Sequence, residues 1–187
     1  MEKTLKINLE KHPELRLAHE LTVLIPEAII AGGCPRDLIN DIDIADVDVF
    51  IEYEGDTELL EVADKVTTLL KAHDIEYQFK EGYDIEREII VGARILAGNL
   101  DINFMETCAL SKEILFEQFD LVSSQAWLKR TEEGFIAKAT DYFHALNERK
   151  VLGYFIVTVH MDKIKKKYKG YLPMRVDRKY KAEPKAA

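Results

Sequence analysis

The chain has 187 residues, of which 47% are hydrophobic and 32% charged, so it is long and apolar enough to bury a core of its own. This composition excludes collagen-like, low-complexity and wholly disordered chains. The formal net charge of -8 taken alone argues against a nucleic-acid-binding protein. The charge is unevenly distributed, because residues 161–187 carry ten Lys/Arg against three Asp/Glu, whereas residues 1–160 carry 16 Lys/Arg against 31 Asp/Glu.

Several classes of protein are not expected from this sequence. No apolar run approaches the ~20 residues that a membrane span requires, and residues 1–6 lack the apolar stretch of a secretory signal. Cys34 and Cys108 form no Cys-x-x-Cys pair, and the five histidines show no ligand spacing, so a zinc site is not expected. We therefore expect a cytoplasmic protein with free thiols and no membrane partner.

The hydrophobic pattern predicts an α+β fold, with a mixed β-sheet flanked by helices. In chain order we predict a helix at 13–24, a strand at 28–31, a short helix beginning at 36, a strand at 47–51, a helix at 57–73, and strands at 76–80, 88–96 and 100–105. Gly98-Asn99 is predicted to form the hairpin turn between the last two strands.

The remainder of the chain is predicted to be mostly helical, apart from one possible hairpin at 125–138. We accordingly expect three parts: a head at 1–110, a short helical extension at 111–172 packed on the head, and a basic, loosely ordered tail at 173–187.

The predicted strand around Val47 has two chemically different faces. Side chains alternate along a strand, so Val47 and Val49 share an apolar face while Asp46 and Asp48 share the opposite face. Two aspartates at this spacing lie about 6–7 Å apart along the strand. Their carboxylates are therefore able to converge on one metal ion.

Residues 100–104 repeat this pattern, with Asp101 and Asn103 on the polar face. If the two strands are neighbours, Asp101 lies about 5 Å to the side of the Asp46 and Asp48 pair. Three adjacent carboxylates repel one another unless cations neutralise them. Hard oxygen ligands suit Mg²⁺ or Mn²⁺, and two such ions can assist phosphoryl or nucleotidyl transfer.

An Asp-x-Asp pair on a strand is also typical of a merely solvated strand face, and the carboxylates alone leave this alternative open. Asp41 and Asp43 form a second Asp-x-Asp pair. A continuous strand would place this pair on the apolar face, so we place it in the loop before the strand.

The residues before this strand carry a resemblance to a known family. Gly32-Gly33, followed by Arg36-Asp37 and then Asp46-x-Asp48, resembles the signature of the polymerase-β-like nucleotidyltransferase superfamily. The match is closest to the head domain of tRNA CCA-adding enzymes and bacterial poly(A) polymerases, and a later acidic strand with Asp101 fits the same pattern. The resemblance covers about residues 29–105. As a compact head with a short helical extension, the chain resembles small stand-alone bacterial or phage members of the superfamily.

The resemblance implies a nucleotidyltransferase fold and the transfer of a nucleoside monophosphate from an NTP such as ATP to a hydroxyl acceptor, with release of pyrophosphate. It implies two Mg²⁺ or Mn²⁺ ions on the catalytic carboxylates Asp46, Asp48 and Asp101, and a nucleotide held by Gly32, Gly33, Arg36 and Asp37. Strand parity, rather than the resemblance, adds Arg94 to the nucleotide-binding candidates, and an exposed sheet arginine is an equal alternative. The favoured acceptor is an RNA 3′ end; a protein or small-molecule acceptor, as in some toxins, and an inactive nucleotide- or nucleic-acid-binding module remain alternatives.

Two departures from the family pattern stand out. Pro35 occupies a position that is usually a small apolar residue, and it removes a backbone donor. The family's later Arg-Arg-Asp-Phe-Thr block is represented only by Gln118-Phe119-Asp120, without its arginines.

The basic segment near the end of the chain interleaves lysines with tyrosines. Lysines can follow a phosphate backbone and tyrosines can stack on bases, although a solvated basic helix end has the same composition. The candidate RNA-contacting residues are Lys163, Lys165, Lys166, Lys167, Tyr168 and Lys169.

Overall fold

A computed structural model describes residues 5–81, 88–106, 112–155 and 160–177. The strands are β1 (Leu5–Asn8), β2 (Ile29–Ala31), β3 (Asp46–Tyr53), β4 (Tyr77–Glu81), β5 (Glu88–Ile95), β6 (Gly98–Glu106), β7 (Ala126–Thr131), β8 (Gly134–Ala139), β9 (Val151–Tyr154) and β10 (Leu172–Arg175). The helices are α1 (Arg16–Leu24), α2 (Gly33–Ile39), α3 (Gly55–Ala72), α4 (Lys112–Gln118), α5 (Asp141–Glu148) and α6 (His160–Lys167), with 3₁₀ turns at Pro13–Leu15 and Val122–Ser124. No helix within the described ranges has the length and apolar content to span a membrane.

Eight strands form one mixed sheet in the order β1-β8-β7-β2-β3-β6-β5-β4. β3 and β6 pair in parallel, and the other neighbouring strands of this sheet pair antiparallel. The predicted α+β class and mixed sheet are confirmed. β9 and β10 form a separate parallel pair.

The central strands bury one face completely because their apolar residues recur with period two. Val49 on β3 and Ile102 and Phe104 on β6 have no exposed surface. Leu21 of α1 and Val66 of α3 belong to the same buried cluster, so these helices cover the apolar face of the sheet. The opposite face of β3 and β6 carries polar side chains near the beginning of the two strands, whereas Phe50 and Met105 farther along it belong to a separate apolar cluster.

The turn between β5 and β6 differs from the prediction. β5 ends at Ile95 and β6 begins at Gly98, so the turn is formed by Leu96 and Ala97, and Ala97 adopts a positive φ of 60°. The prediction of a Gly98-Asn99 turn is wrong because both residues continue the ladder, with Asn99 opposite Asp46 on β3.

The hairpin predicted at 125–138 is present as β7 and β8, but its place in the fold was not anticipated. β7 pairs with β2 at the centre of the main sheet, and β8 pairs with β1. The sheet therefore extends well beyond residue 110. Leu128, Phe135 and Ala137 join the main core, which explains why the hairpin packs within the sheet rather than outside it.

The last described part of the chain is also ordered by specific contacts. α6 packs through Met161 and Ile164 against Leu121 and Leu152 in a second, smaller core. Leu172–Arg175 form β10 beside β9, so the predicted tail at 173–187 begins within a strand, and its residues 178–187 lie outside the described residues. After α6 the chain therefore makes specific strand contacts with β9.

Candidate functional site

The three predicted carboxylates lie on one face of two adjacent strands. Asp48 on β3 is directly opposite Asp101 on β6, and Asp46 is opposite Asn99. Directly opposed residues in a parallel pair lie about 5 Å apart and point to the same side of the sheet. The placement that strand alternation predicted is therefore observed.

Asp48 is the central carboxylate of the three. Its pKa is raised from 3.8 to about 7, mainly by burial and then by the charges of Asp46 and Asp101, while Lys163 and Arg36 oppose the shift. A negative charge at Asp48 is thus costly unless a cation is close.

The Gly32-Gly33 turn lies directly against these carboxylates. Gly32 has φ 89° and ψ -126°, a backbone conformation that favours glycine. A Cβ atom at Gly32 would lie 3.7 Å from Asp48 Oδ2, and one at Gly33 would lie 3.7 Å from Asp46 Oδ1 and 3.4 Å from Arg36 Nη2. The missing side chains leave space between the turn, the carboxylates and a guanidinium.

The backbone N–H groups of this turn differ in whether they are already hydrogen-bonded within the protein. The Gly32 N–H donates to the Ala126 carbonyl at 3.0 Å, so it is used within the protein. Pro35 has no N–H. The N–H groups of Gly33 and Cys34 lie in the first turn of α2, where backbone donors have no partner inside the helix.

Arg36 and Asp37 form a buried polar cluster with the end of α6. They are 6% and 1% exposed. The Arg36 Nε–H group points to both Asp37 Oδ1 at 2.8 Å and Tyr168 Oη at 3.1 Å, and the Tyr168 O–H donates to Asp37 Oδ1 at 2.7 Å. Lys167 pairs with the other Asp37 oxygen. Both carboxylate oxygens of Asp37 are therefore engaged within the protein, whereas Arg36 Nη2 faces Gly33.

The predicted basic segment is only partly available to a ligand. Tyr168 is 2% exposed and its ring lies 5.2 Å from the Arg36 guanidinium carbon, so it does not offer a face for base stacking in this structure. The ring is buried because it completes the small core beneath α6. Lys165 lies 3.9 Å from Asp162 on its own helix, while Lys166 and Lys169 are exposed.

Two lysines approach the carboxylates in a way that the sequence did not reveal. Lys163 Nζ lies 3.5 Å from Asp46 Oδ2, with 74% of its side chain exposed. Lys80 on β4 reaches across β5 to place Nζ 3.0 Å from Asp101 Oδ1. A glycine in a strand interior often marks a close approach, and Gly92 on β5 was the available signal for the second contact.

Arg94 lies on the same face of the sheet as the carboxylates, because β5 places it opposite Asn99 and places Gly92 opposite Asp101. Its side chain is exposed and borders a groove at the β4–β5 side of the face. The parity argument for its position is therefore confirmed.

An aromatic group stands where the family pattern has arginine. The Phe119 ring would lie 3.9 Å from a Cβ atom at Gly32. It packs against Phe50 and Phe116, each with a centroid separation of 5.9 Å. This edge of the site is apolar.

The donor set fits hard divalent cations by its chemistry, since it presents carboxylate oxygens from two neighbouring strands. Within the described ranges, however, no group of three His, Cys, Asp or Glu side chains has the arrangement of a preformed metal site. Asp46 and Asp101 instead face ammonium groups. The three carboxylates are thus gathered on one face, and Asp46 and Asp101 each face a lysine of the protein.

The fold is shared with tRNA-processing enzymes of known structure. One solved tRNA-processing enzyme in an apo form matches with a TM-score of 0.59 at 16% identity, covering 81% of this chain and 38% of that one. A CCA-adding enzyme in complex with ATP matches at 0.55 and 15% identity, and the Thermotoga maritima CCA-adding enzyme complexed with tRNA matches at 0.54 and 14%; each covers 89% of this chain and 40% of that chain. The fold resemblance inferred from the sequence is confirmed, over about two fifths of the length of these structures.

No protein-family model and no curated protein matches the chain.

The buried hydroxyl of Tyr168 is expected to hold α6 on α2. Tyr168→Phe leaves the Asp37 carboxylate and the Arg36 Nε–H without this partner, which should cost about 1–3 kcal/mol in the free energy of unfolding. Urea unfolding followed by Trp127 fluorescence measures this cost. Tyr171→Phe is the control, because its hydroxyl makes two longer bonds of 3.2 Å at a partly exposed position. An equal loss in both variants would contradict the special role of Tyr168.

The raised pKa of Asp48 predicts a pH-dependent stability without divalent cations. Over this range folded Asp48 retains a proton that the unfolded chain loses. The free energy of unfolding of the wild type should therefore fall as pH rises from about 4 to about 7, and it should not change further above pH 7. Asp48→Asn cannot ionise, so it should gain several degrees in Tm relative to wild type by pH 8, since about 1 kcal/mol shifts Tm by 2–4 °C at this size. Thermal melts from pH 4 to 8 test this, with Asp43→Asn in the exposed loop as control. A Tm difference that does not change with pH would refute the assignment.

Proposed function

We propose that the protein is a nucleotidyltransferase that moves a nucleoside monophosphate from an NTP to a hydroxyl acceptor, most naturally an RNA 3′ end. The observation that carries this proposal is the juxtaposition of the Gly32-Gly33 turn with carboxylates from two paired strands. A merely solvated strand face would not require a glycine turn packed against it.

In this proposal Asp46 and Asp48 hold two Mg²⁺ or Mn²⁺ ions and Asp101 holds one of them. Such ions lower the pKa of an acceptor hydroxyl and stabilise the charge that develops on the leaving pyrophosphate. The high cost of the Asp48 charge in the cation-free state supports this role, because a nearby cation removes that cost.

The glycine turn and Arg36 receive the triphosphate. The space that a Cβ atom at Gly33 would fill is bounded by Arg36 Nη2 and Asp46 Oδ1. A phosphate there can accept bonds from first-turn N–H groups and from the guanidinium. The buried bonds of Arg36 to Asp37 and Tyr168 fix the direction of the guanidinium before the nucleotide arrives.

The proposed reaction is a single displacement at the α-phosphorus. The acceptor oxygen forms a bond to that phosphorus and loses its proton to solvent water. The bond from the α-phosphorus to the oxygen that bridges to the β-phosphorus breaks, and pyrophosphate leaves with the electron pair.

Solved structures that share this fold support this class of substrate and acceptor. The matched structures include CCA-adding enzymes in complex with ATP and with CTP, and a tRNA nucleotidyltransferase in complex with a primer tRNA and an ATP analogue. Because this chain spans less than half of those structures, their nucleotide and tRNA partners enter here as a proposal.

Label transfer tests the proposal directly. The protein is incubated with Mg²⁺, each α-³²P-labelled NTP in turn, and RNA, protein or small-molecule acceptors. We expect label in RNA, and we expect Asp48→Asn to reduce it by about 100-fold or more because charge stabilisation is lost. Asp43→Asn, in the neighbouring loop, serves as the matched control and should keep activity. Label in protein or a small molecule alone would overturn the RNA acceptor, and absence of both transfer and cation-dependent NTP binding would overturn the enzyme.

Gly33→Ala tests the triphosphate pocket. Gly33 has no positive φ, so alanine fits the backbone, but its methyl group would occupy the space beside Arg36 Nη2 at 3.4 Å. We expect the KM for NTP to rise about 10-fold or more, as for loss of ~1.4 kcal/mol of binding, with the Tm unchanged. An unchanged KM would place the triphosphate elsewhere.

A further inference from the structure

A polar groove lies on the carboxylate face of the sheet beyond Asp101, with a cavity volume of about 360 Å³. Its lining includes Gln78, Lys80, Gly92, Arg94 and Asn99, with Glu76 as an acidic member. The strand registers place Gly92 beside Asp101 and Arg94 beside Asn99. The groove therefore lies next to the carboxylate site.

Gly92 leaves the room through which the Lys80 side chain reaches Asp101. A Cβ atom there would lie 2.5 Å from Lys80 Cε and 3.3 Å from Asp101 Oδ1, and it would also collide with Lys80 Nζ. Gly92 has no positive φ, so the backbone does not require glycine at this position. What glycine provides is room for a lysine to pass over β5 to the carboxylate.

The groove and the glycine turn lie on opposite sides of the carboxylates. Across the sheet, the turn follows β2, Asp46 and Asp48 lie on β3, Asp101 lies on β6, and the groove is formed by β5 and β4. In a displacement at phosphorus, the attacking and leaving oxygens are roughly in line on opposite sides of the phosphorus. If the triphosphate occupies the turn, the acceptor enters from the groove.

We propose, on the basis of the proposed function, that this groove binds the phosphate backbone of the RNA acceptor at its 3′ end, with Lys80 and Arg94 as phosphate ligands. Both side chains are exposed enough to meet a ligand, since 41% of the Lys80 side chain is exposed and Arg94 is exposed as well. Lys80 neutralises Asp101 in this structure. A divalent cation held by that carboxylate would supply the same neutralisation and would leave the ammonium free to bind an acceptor phosphate.

The groove fits this role better than the basic segment near the end of the chain. There, Tyr168 is buried and Lys167 is bound to Asp37. Lys166 and Lys169 remain exposed and provide the rival surface.

The test measures RNA affinity without turnover. A fluorescein-labelled single-stranded RNA with a 3′-deoxy end is titrated with the full chain, with Mg²⁺, both with and without a non-hydrolysable NTP analogue, and anisotropy is read. The variants are Lys80→Met with Arg94→Met, Lys166→Met with Lys169→Met, and Lys65→Met on α3 as a charge control.

The Lys80 and Arg94 double variant should bind RNA about 10-fold more weakly, and the slope of log K against log salt should fall by about 0.7 for each lost phosphate contact. The loss of RNA affinity should appear equally without the NTP analogue, and Lys65→Met should change the affinity for neither ligand. Circular dichroism melts confirm that the variants fold.

Unchanged RNA affinity in this double variant, or a loss confined to the Lys166 and Lys169 double variant, would overturn the inference. Absence of RNA binding by the wild type would overturn it as well. These outcomes are distinct from failure of the proposed function, which appears as absent cation-dependent binding of the NTP analogue and absent transfer by the wild type.

Discussion

The parallel pairing of β3 with β6 is the constraint on which the site depends. It buries Val49 and Ile102 completely on one side, and by the same register it sets Asp48 beside Asp101 on the other. The hydrophobic gain on one face thus enforces like-charge proximity on the opposite face. The approach of Lys80 and Lys163 to this face relieves part of the repulsion.

The second structural device is the buried cluster that joins α2 to α6. Arg36, Asp37 and Tyr168 exchange hydrogen bonds out of water, where such bonds are costly to leave unmade. The cluster fixes α2 behind the glycine turn and turns Arg36 Nη2 towards Gly33. A residue predicted to stack on bases, Tyr168, acts instead in positioning this helix.

Local pattern predicted much of this arrangement, and long-range packing decided the remainder. The alternation of apolar and acidic residues was sufficient to place Asp46, Asp48 and Asp101 on one face, because side-chain direction along a strand has period two. It was not sufficient to show that Lys80 crosses β5, since that contact depends on which strand lies beyond Gly92. Nor does composition distinguish an exposed tyrosine from Tyr168, which is buried by Leu121 and Leu152 from distant parts of the chain.

The central claim is that these carboxylates form a cation-dependent nucleotide site, and Mn²⁺ binding measured by electron paramagnetic resonance tests it most directly. Titrating Mn²⁺ into the protein with a saturating non-hydrolysable NTP analogue should reveal two bound ions for each chain, and Asp48→Asn should weaken their binding by about 10-fold or more. Mn²⁺ binding that is absent from the wild type, or identical in wild type and Asp48→Asn, would contradict the account.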